Sequence, residues 1–231
     1  MSRSTLKTSA INAEIRKAQA AAAMPSAPAG KKGAAKDKPA APALKGAGEV
    51  RIIGGLWKRT RLAVAQRPGL RPTPDRVRET LFNWLGQDLS GWRCLDAFAG
   101  TGALGLEAAS RGASSVQLVE SDAGLVAQLH TLQQRLQASA VRVQRGDGVA
   151  ALKQAASGSL DLVLLDPPFD SDFFTPALQA ASQALTAQGF VYLEAPRVWA
   201  DDELAAWGLA VHRYLKAGAV HAHLLRRVAP S

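Results

Sequence analysis

The chain has 231 residues and a formal net charge of +9, a length that suffices for one sizeable domain with appendages. Its single cysteine, Cys94, excludes an internal disulfide framework and any zinc site built on several cysteines. No apolar run approaches the roughly 18 residues of a membrane span, so we expect a protein of the reducing cytoplasm without a membrane partner.

The positive charge is unevenly distributed along the chain. Residues 1–50 carry a net charge of +6 and residues 51–81 another +6, whereas residues 82–231 carry −3. A mildly acidic body with a strongly basic N-terminal third indicates a polyanionic partner that meets the N-terminal side. Solubility alone is the alternative explanation of such a charge run.

Residues 1–48 form the first predicted segment. They are rich in Ala, Lys, Pro and Gly and nearly free of aromatic residues. Such a composition buries too little apolar surface to offset the entropy of ordering, so we predict a disordered basic tail. Its low acidity and scattered Ser and Arg also resemble an organellar transit peptide, which is the second interpretation.

Residues 49–64 predict a β-hairpin with strands over 49–53 and 57–64 and a tight turn at Gly54-Gly55. Basic side chains interleaved with an aromatic one suit an RNA backbone and an unstacked base, so we expect this hairpin to bind RNA. The candidate contacts are Arg51, Trp57, Lys58, Arg59 and Arg61. A small β-ribbon with solvated charges is the alternative.

A helix is predicted after the Pro/Gly-rich stretch 66–73. Thr73 precedes Pro74 and is predicted to cap the helix that Pro74 opens. The apolar residues that then share one helical face are Val77, Leu81, Phe82 and Leu85. Residues 49–90 are therefore predicted to form an N-terminal unit ahead of the main domain, 91–231.

Within the main domain, strand and helix patterns alternate. The predicted strands are 93–97, 115–120, 140–145, 160–166, 189–194, 209–216 and 219–227, and the predicted helices are 102–111, 122–137, 147–156, 173–186 and 201–206. Such alternation predicts right-handed βαβ units and a mainly parallel sheet. The last two strands flank a tight turn at Gly218 and should pair antiparallel. The fold class is thus α/β, with a seven-stranded, mostly parallel, Rossmann-like sheet and an antiparallel edge strand.

Acidic residues at successive strand ends predict the cofactor. Asp96 ends a strand ahead of a glycine turn, Gly100 and Gly102, and its charge disfavours a phosphate and favours an amino group. Glu120 ends the next strand, where a carboxylate can bind both hydroxyls of a ribose. Asp147 follows the third strand and is placed to bind an adenine edge. Amine, ribose and adenine together describe S-adenosylmethionine.

The apolar run 162–165 predicts a buried strand that ends at Asp166, because Pro167 and Pro168 cannot donate a ladder hydrogen bond. Ligands of open α/β sheets bind just beyond the carboxyl ends of the strands. A carboxylate, a rigid proline carbonyl and the Phe169 ring at this place could hold a flat group such as a nucleobase. A strand-ending turn with a surface Asp is the alternative.

Together these stretches resemble the RsmD family, bacterial enzymes that methylate N2 of guanine 966 in 16S rRNA, within the class I S-adenosylmethionine-dependent methyltransferases. The resemblance spans roughly residues 49–227, and the basic tail is a departure from it. The matching stretches are 51–55, 71–73 with 76–82, 96–112 and 165–169.

The resemblance also implies roles for the site residues. Asp96, Gly100 and Gly102 would bind the methionine end of the cofactor, in one loop with Phe98. Glu120 would bind the ribose, Asp147 the adenine, and the Arg71–Thr73 loop would cover the methionine. Asp166, Pro167, Pro168 and Phe169 would be the catalytic tetrad of a methyltransferase that acts on an exocyclic amine.

The resemblance thus implies a mechanism for the tetrad. An exocyclic amine on a purine is a poor nucleophile, because its lone pair is delocalised into the ring. Two acceptors, the Asp166 carboxylate and the Pro167 carbonyl, would draw the nitrogen toward tetrahedral geometry. The prolines fix the carbonyl before reaction, so that little reorganisation is needed. Phe169 would stack on the base.

The partner that the resemblance implies is 16S rRNA within an assembled or assembling small subunit, and we expect a monomer that needs no metal. A DNA amino-methyltransferase could use the same tetrad, although such enzymes normally carry a larger target-recognition domain. A non-catalytic RNA-binding assembly factor is disfavoured by the intact tetrad. Protein glutamine methylation fits the basic N-terminal side poorly.

Overall fold

The computed structural model describes residues 48–64 and 73–228, so the predicted tail and Arg71 lie outside the described residues. In chain order, the elements are β1 (Glu49–Arg51), β2 (Arg61–Ala63), α1 (Asp75–Leu85), β3 (Arg93–Asp96), α2 (Ala103–Ser110), β4 (Ser115–Glu120), α3 (Ala123–Arg135), β5 (Val141–Arg145), α4 (Gly148–Gln154), β6 (Leu160–Leu165), α5 (Phe174–Ala184), β7 (Leu185–Ala195), α6 (Asp201–Ala205), β8 (Leu209–Ala217) and β9 (Val220–Arg227). The predicted alternation is confirmed. The strand β7 begins earlier than predicted, because Leu185 already pairs with Leu160 before a register shift.

A seven-stranded sheet in the order β5-β4-β3-β6-β7-β9-β8 organises the main domain. The first five strands in this order are parallel, and β9 runs antiparallel to both β7 and β8. The predicted antiparallel pair therefore closes one edge of the sheet. The strand order reverses between β3 and β6, and open α/β sheets bind ligands at such a switch point.

Both faces of the sheet are covered. On one face, the core joins residues of β1, β2, α1, α2 and α3, and on the other it joins residues of α4, α5 and α6. The central strand β6 serves both cores, and all four residues 162–165 are fully buried. A continuous apolar run is typical of a parallel strand buried on both faces, as the sequence predicts.

The predicted N-terminal hairpin is confirmed, with Val50 opposite Leu62, but its predicted two-residue turn is wrong. The connection between the strands spans residues 52–60 and packs on the carboxyl end of α2. A Cβ atom at Gly55 would lie 1.8 Å from the Ser110 carbonyl oxygen, and the Leu56 amide donates to that oxygen at 2.7 Å. Gly55 therefore allows close packing against α2. Gly54-Gly55 is not a two-residue turn between the strands, and the Gly55 carbonyl instead accepts the Lys58 amide at 3.3 Å within the longer connection.

Helix α1 begins after Pro74, which is its N-cap residue, and no side chain caps it. The predicted capping role of Thr73 is therefore wrong, and its hydroxyl hydrogen-bonds to Glu194 instead. The predicted apolar face of α1 is confirmed and joins the same core as the hairpin. Hairpin and α1 thus pack directly on the sheet layer, and the domain boundary at residue 90 stays a prediction.

Candidate active site

The carboxyl edge of the parallel sheet carries an acidic side chain at the end of each of four adjacent strands. The ladder pairs Asp96 with Leu118 and Leu164, and Leu164 with Tyr192. An acid lies two residues after each of Leu118, Leu164 and Tyr192. Because side chains two residues apart point to the same face of a strand, these three acids share one face with Asp96. The four acids are Glu120 on β4, Asp96 on β3, Asp166 after β6 and Glu194 on β7.

Asp96 is buried at this edge. Its Oδ2 atom accepts a hydrogen bond from the Gly105 amide at 3.0 Å, whereas its Oδ1 atom has no partner among the described residues. Burial raises the pKa of Asp96 to about 7, and the charges of Glu120 and Glu194 add to this effect. An unpartnered buried carboxylate oxygen fits a ligand that donates hydrogen bonds and carries positive charge.

The glycine turn after β3 is held to the neighbouring strand. The Gly100 amide donates to Glu120 Oε2, and the Asp122 amide to Glu120 Oε1, each at 2.8 Å. The Ser121 hydroxyl also donates to Oε1 at 3.3 Å, whereas Oε2 keeps a second lone pair that could accept a hydroxyl. Gly102, with φ of 81°, begins α2. The structure thus brings the predicted residues Asp96, Gly100, Gly102 and Glu120 together at the switch point.

Two further predicted cofactor residues border this edge. Asp147 is exposed after β5, where its Oδ1 atom accepts the Ala150 amide at 2.7 Å and so caps α4. The Phe98 ring lies 5.7 Å from the Phe173 ring, tilted by 33°. Phe98 therefore contacts the segment that follows the tetrad, and it places an apolar wall beside the glycine turn.

The tetrad leaves the sheet between β6 and α5. Asp166 is half-buried, and burial, followed by the charges of Glu194 and Asp96, raises its pKa well above the usual range. The Pro168 carbonyl accepts the Ser171 amide at 3.1 Å and the Ser171 hydroxyl at 2.6 Å. In contrast, no described residue donates to the Pro167 carbonyl or to the Asp166 carboxylate. Within the described ranges, two acceptors beside the half-buried Phe169 ring thus have no donor.

Glu194 is a candidate that the sequence analysis missed. It is buried, and its Oε1 atom accepts the Tyr192 hydroxyl at 2.8 Å. Burial raises its pKa, whereas the hydroxyls of Thr73 and Tyr192 and the charge of Arg78 oppose this shift. The signal was present in the sequence, because Glu194 follows an apolar run near the end of β7, much as Asp96 and Glu120 end β3 and β4.

A second buried charge cluster lies between the hairpin, α1 and α2. Glu107 is fully buried and accepts the amides of Ile53 at 2.7 Å and Gly54 at 2.8 Å. The same carboxylate accepts Arg111 at 2.8 Å and lies 3.5 Å from the fully buried Arg78. This network fastens the hairpin to the domain.

The predicted RNA-contacting side chains lie on the hairpin. Lys58 and Arg59 are exposed, and Trp57 is half-buried, with its amide donating to Ser110 Oγ at 2.9 Å. Arg51 and Arg61 are also exposed. Ser110 ends α2, whose eight residues span about 12 Å. The hairpin connection therefore lies at the opposite end of α2 from the carboxyl edge of the sheet, and its binding to RNA stays a prediction.

Some site types find no support in the described ranges. Within residues 48–64 and 73–228, no group of three or more His, Cys, Asp or Glu is arranged to hold a metal ion. No helix in the same ranges is long and apolar enough to cross a membrane. An open cavity of about 650 Å³ near Ser114, His130 and Arg142 contains none of the predicted site residues.

Comparisons with known proteins agree with this arrangement. The family model described as Conserved hypothetical protein 95 matches residues 50–226. The Ribosomal RNA small subunit methyltransferase D of Escherichia coli K12 is 39% identical over 196 residues, which cover 81% of this chain and 95% of that protein. The protein of the same name from Haemophilus influenzae is 41% identical over 152 residues, which cover 64% of this chain and 79% of that protein.

A solved structure gives the same result. The putative methyltransferase yhhF from Escherichia coli superposes with a TM-score of 0.66 at 38% sequence identity. The match covers 79% of this chain and all of that chain. The sheet with its N-terminal hairpin is therefore an arrangement that this chain shares with a methyltransferase fold.

Proposed function

Because this chain belongs to the RsmD family of methyltransferases, we propose that it transfers a methyl group from S-adenosylmethionine to the exocyclic N2 amine of a guanine in 16S rRNA. The observation that carries the proposal is the position of the tetrad. Asp166 follows the strand next to Asp96, so the acceptors for an amine and the acid for the cofactor lie at adjacent strand ends.

The residues at the switch point fit this cofactor. The unpartnered Oδ1 atom of buried Asp96 matches a cationic amino group, and the Oε2 atom of Glu120 has a lone pair for a ribose hydroxyl. Asp147 would take the adenine edge, and Phe98 would line the site. When bound, S-adenosylmethionine supplies an electrophilic methyl group and a positive charge, which suits an edge where three carboxyl groups have raised pKa values.

The tetrad can prepare a guanine amine for this transfer. The Asp166 carboxylate and the Pro167 carbonyl have no described donors, so they can accept the two hydrogens of N2. Accepting both hydrogens draws the nitrogen lone pair out of conjugation and directs it at the methyl group. Because Pro167 and Pro168 fix the backbone, the carbonyl is oriented before the base arrives.

The substrate class follows from the relatives and from the charge. The similar proteins are named for the small ribosomal subunit, and the basic N-terminal third of this chain suits an RNA backbone. We propose that the enzyme acts in the cytoplasm as a monomer on an assembled or assembling small subunit. The hairpin would hold nucleotides beside the target, since its connection lies away from the catalytic edge.

Mapping of methylated guanines in 16S rRNA would test the proposal. Cells that lack the gene should lose N2-methylation at one guanine, and a plasmid copy of the full chain should restore it. The purified protein, incubated with labelled S-adenosylmethionine, should then methylate small subunits from the deletion strain at the same guanine.

The controls decide between substrates. Naked 16S rRNA, duplex DNA and small subunits from the parent strain should accept much less label than small subunits from the deletion strain. Unchanged 16S rRNA in the deletion strain would overturn the proposal. Labelled duplex DNA would favour the DNA amino-methyltransferase alternative.

A further inference from the structure

Glu194 stands beside Asp166 although it lies outside the tetrad. Leu165 and Leu193 are paired in the parallel β6–β7 ladder, so the next residues, Asp166 and Glu194, are neighbours across the sheet. Adjacent strands are about 4.8 Å apart. Glu194 is buried and Asp166 half-buried, so two carboxyl groups at this spacing on one face cannot both ionise without mutual repulsion.

The two carboxyl groups differ in their hydrogen bonds. Glu194 accepts the hydroxyls of Tyr192 and Thr73, and both donors stabilise its ionised form. No described residue donates to Asp166. When the pair holds one proton, that proton therefore belongs on Asp166.

The remaining charges around the pair do not cancel this asymmetry. Asp96, on the other side of β6, adds a third acid. Arg78 on α1 acts on Glu194, but its guanidinium also pairs with Asp75 and Glu107. On β9, Ala222 lies opposite Glu194, and the neighbouring histidines, His221 and His223, alternate to the other face.

We propose that Glu194 is a positioning residue whose negative charge makes Asp166 the base that removes a proton from the target amine. This inference rests on the proposed function and deepens it. As the bond between N2 and the methyl carbon forms, the bond from that carbon to sulfur breaks, and the sulfur keeps the electron pair. N2 then carries an extra positive charge, which it loses by giving one proton to a carboxylate oxygen of Asp166. A nearby negative charge raises the proton affinity of Asp166 and so favours this transfer.

Glu194→Gln keeps the shape of the side chain and removes its charge. Without the neighbouring charge, the pKa of Asp166 falls, so Asp166 stays ionised to lower pH. The acid limb of the pH profile of kcat should therefore move to lower pH by about one unit or more. At the optimum, kcat should fall roughly tenfold because Asp166 is then a weaker base, and KM for the small subunit should stay within about twofold.

Asp161→Asn is the matched control, because Asp161 lies at the other end of β6, where it pairs with Arg93. Its pH profile should match that of the unchanged protein. If Glu194→Gln is active and its acid limb is not shifted, the inference is overturned. If the protein without substitutions transfers no methyl group to small subunits, the proposed function fails instead.

A measurement on the unchanged protein avoids any dependence on folding of the variants. Carboxyl ¹³C NMR of the full chain, labelled at Asp and Glu, should show two coupled titration steps for Asp166 and Glu194. The step with the higher apparent pKa should be seen mainly at Asp166. Independent titrations near the ordinary carboxyl range would exclude the coupling on which the inference depends.

Discussion

The two buried charge clusters of this protein differ in the signs of their charges and in how many of their polar atoms have hydrogen-bond or ion-pair partners. At the hairpin, Glu107 accepts two backbone amides and two arginines, so every charge meets an opposite charge or a donor. At the carboxyl edge, Asp96, Asp166 and Glu194 face one another, and one oxygen of Asp96 has no partner in the described part of the chain.

This contrast separates a structural from a functional use of buried charge. A saturated network contributes to the folded state and leaves nothing for a ligand. An under-saturated group of like charges destabilises the folded state, and such a group persists where a ligand supplies the missing charge and donors. Substitutions in and around the two clusters can test this contrast.

Glu107→Ala should destabilise the protein by about 3–5 kcal/mol, because it leaves buried Arg111 without its carboxylate and removes one of the two carboxylates that pair with buried Arg78. Chemical denaturation would measure the loss. The matched control is Glu203→Ala, since the Arg197–Glu203 pair has the same 2.8 Å distance as the Arg111–Glu107 pair but is substantially exposed. It should cost at most about 1 kcal/mol. Equal losses would show that burial does not distinguish the two pairs.

Asp166→Ala should leave folding and cofactor affinity nearly unchanged and reduce methyl transfer by about 10²–10³-fold, the scale for loss of one preorganised electrostatic partner. Single-turnover assays on small subunits would measure it. Asp166→Asn refines the result, because an amide oxygen still accepts a hydrogen bond but cannot take a proton. Partial activity of Asp166→Asn would indicate that Asp166 acts by accepting a hydrogen bond. An activity loss equal to that of Asp166→Ala would indicate that Asp166 acts as a base. Full activity in Ala would refute the role of the tetrad.

Asp96→Asn should stabilise the protein without cofactor and weaken S-adenosylmethionine binding, each by about 1–3 kcal/mol above pH 7. Because burial raises the pKa of Asp96 to about 7, the folded state binds its proton more tightly than the unfolded state. The contribution of Asp96 to stability is therefore present below about pH 4 and is lost as the pH rises to about 7. Melting curves from pH 4 to 8, with and without cofactor, would measure both effects. A less stable variant at pH 8 would contradict the contrast.

Lys58→Ala combined with Arg61→Ala should have the smallest effect. Both side chains are exposed, so stability should change by less than about 0.5 kcal/mol. RNA affinity should fall mainly at low salt. The negative slope of the logarithm of the binding constant against the logarithm of the salt concentration should become less steep by about 1–2. A salt titration of RNA binding would measure this, with Lys153→Ala on α4 as the control. An unchanged slope would show that the hairpin does not contact the RNA backbone.

Much of the fold could be predicted from the sequence because its signals are local. The apolar run 162–165, closed by two prolines, predicts a buried strand whatever else the chain does. The acids at positions 96 and 120 each end such a strand, and parallel strands bring their carboxyl ends to one edge. For the same reason, the predicted Asp96, Gly100, Glu120 and Asp166 meet in the structure.

Other features depend on partners that are distant in sequence. Gly54-Gly55 has the composition of a hairpin turn, but the contact with Ser110 on α2 decides its conformation. Thr73 is a residue type that favours helix N-caps, but its hydroxyl donates a hydrogen bond to the Glu194 carboxylate instead. In both cases, a tertiary contact competes with a local preference of comparable size and prevails.

The alternating α/β pattern, the glycine turn after β3 and the strand that ends at Asp166 are each encoded within about ten neighbouring residues, so the amino-acid sequence alone predicts them. The position of Glu194 beside Asp166 depends on the packing of the strands, as does the full burial of Glu107 and Arg78. Ionisation and hydrogen bonding of a buried group depend on which atoms surround it. That environment is assembled from strands and helices that the sequence keeps far apart.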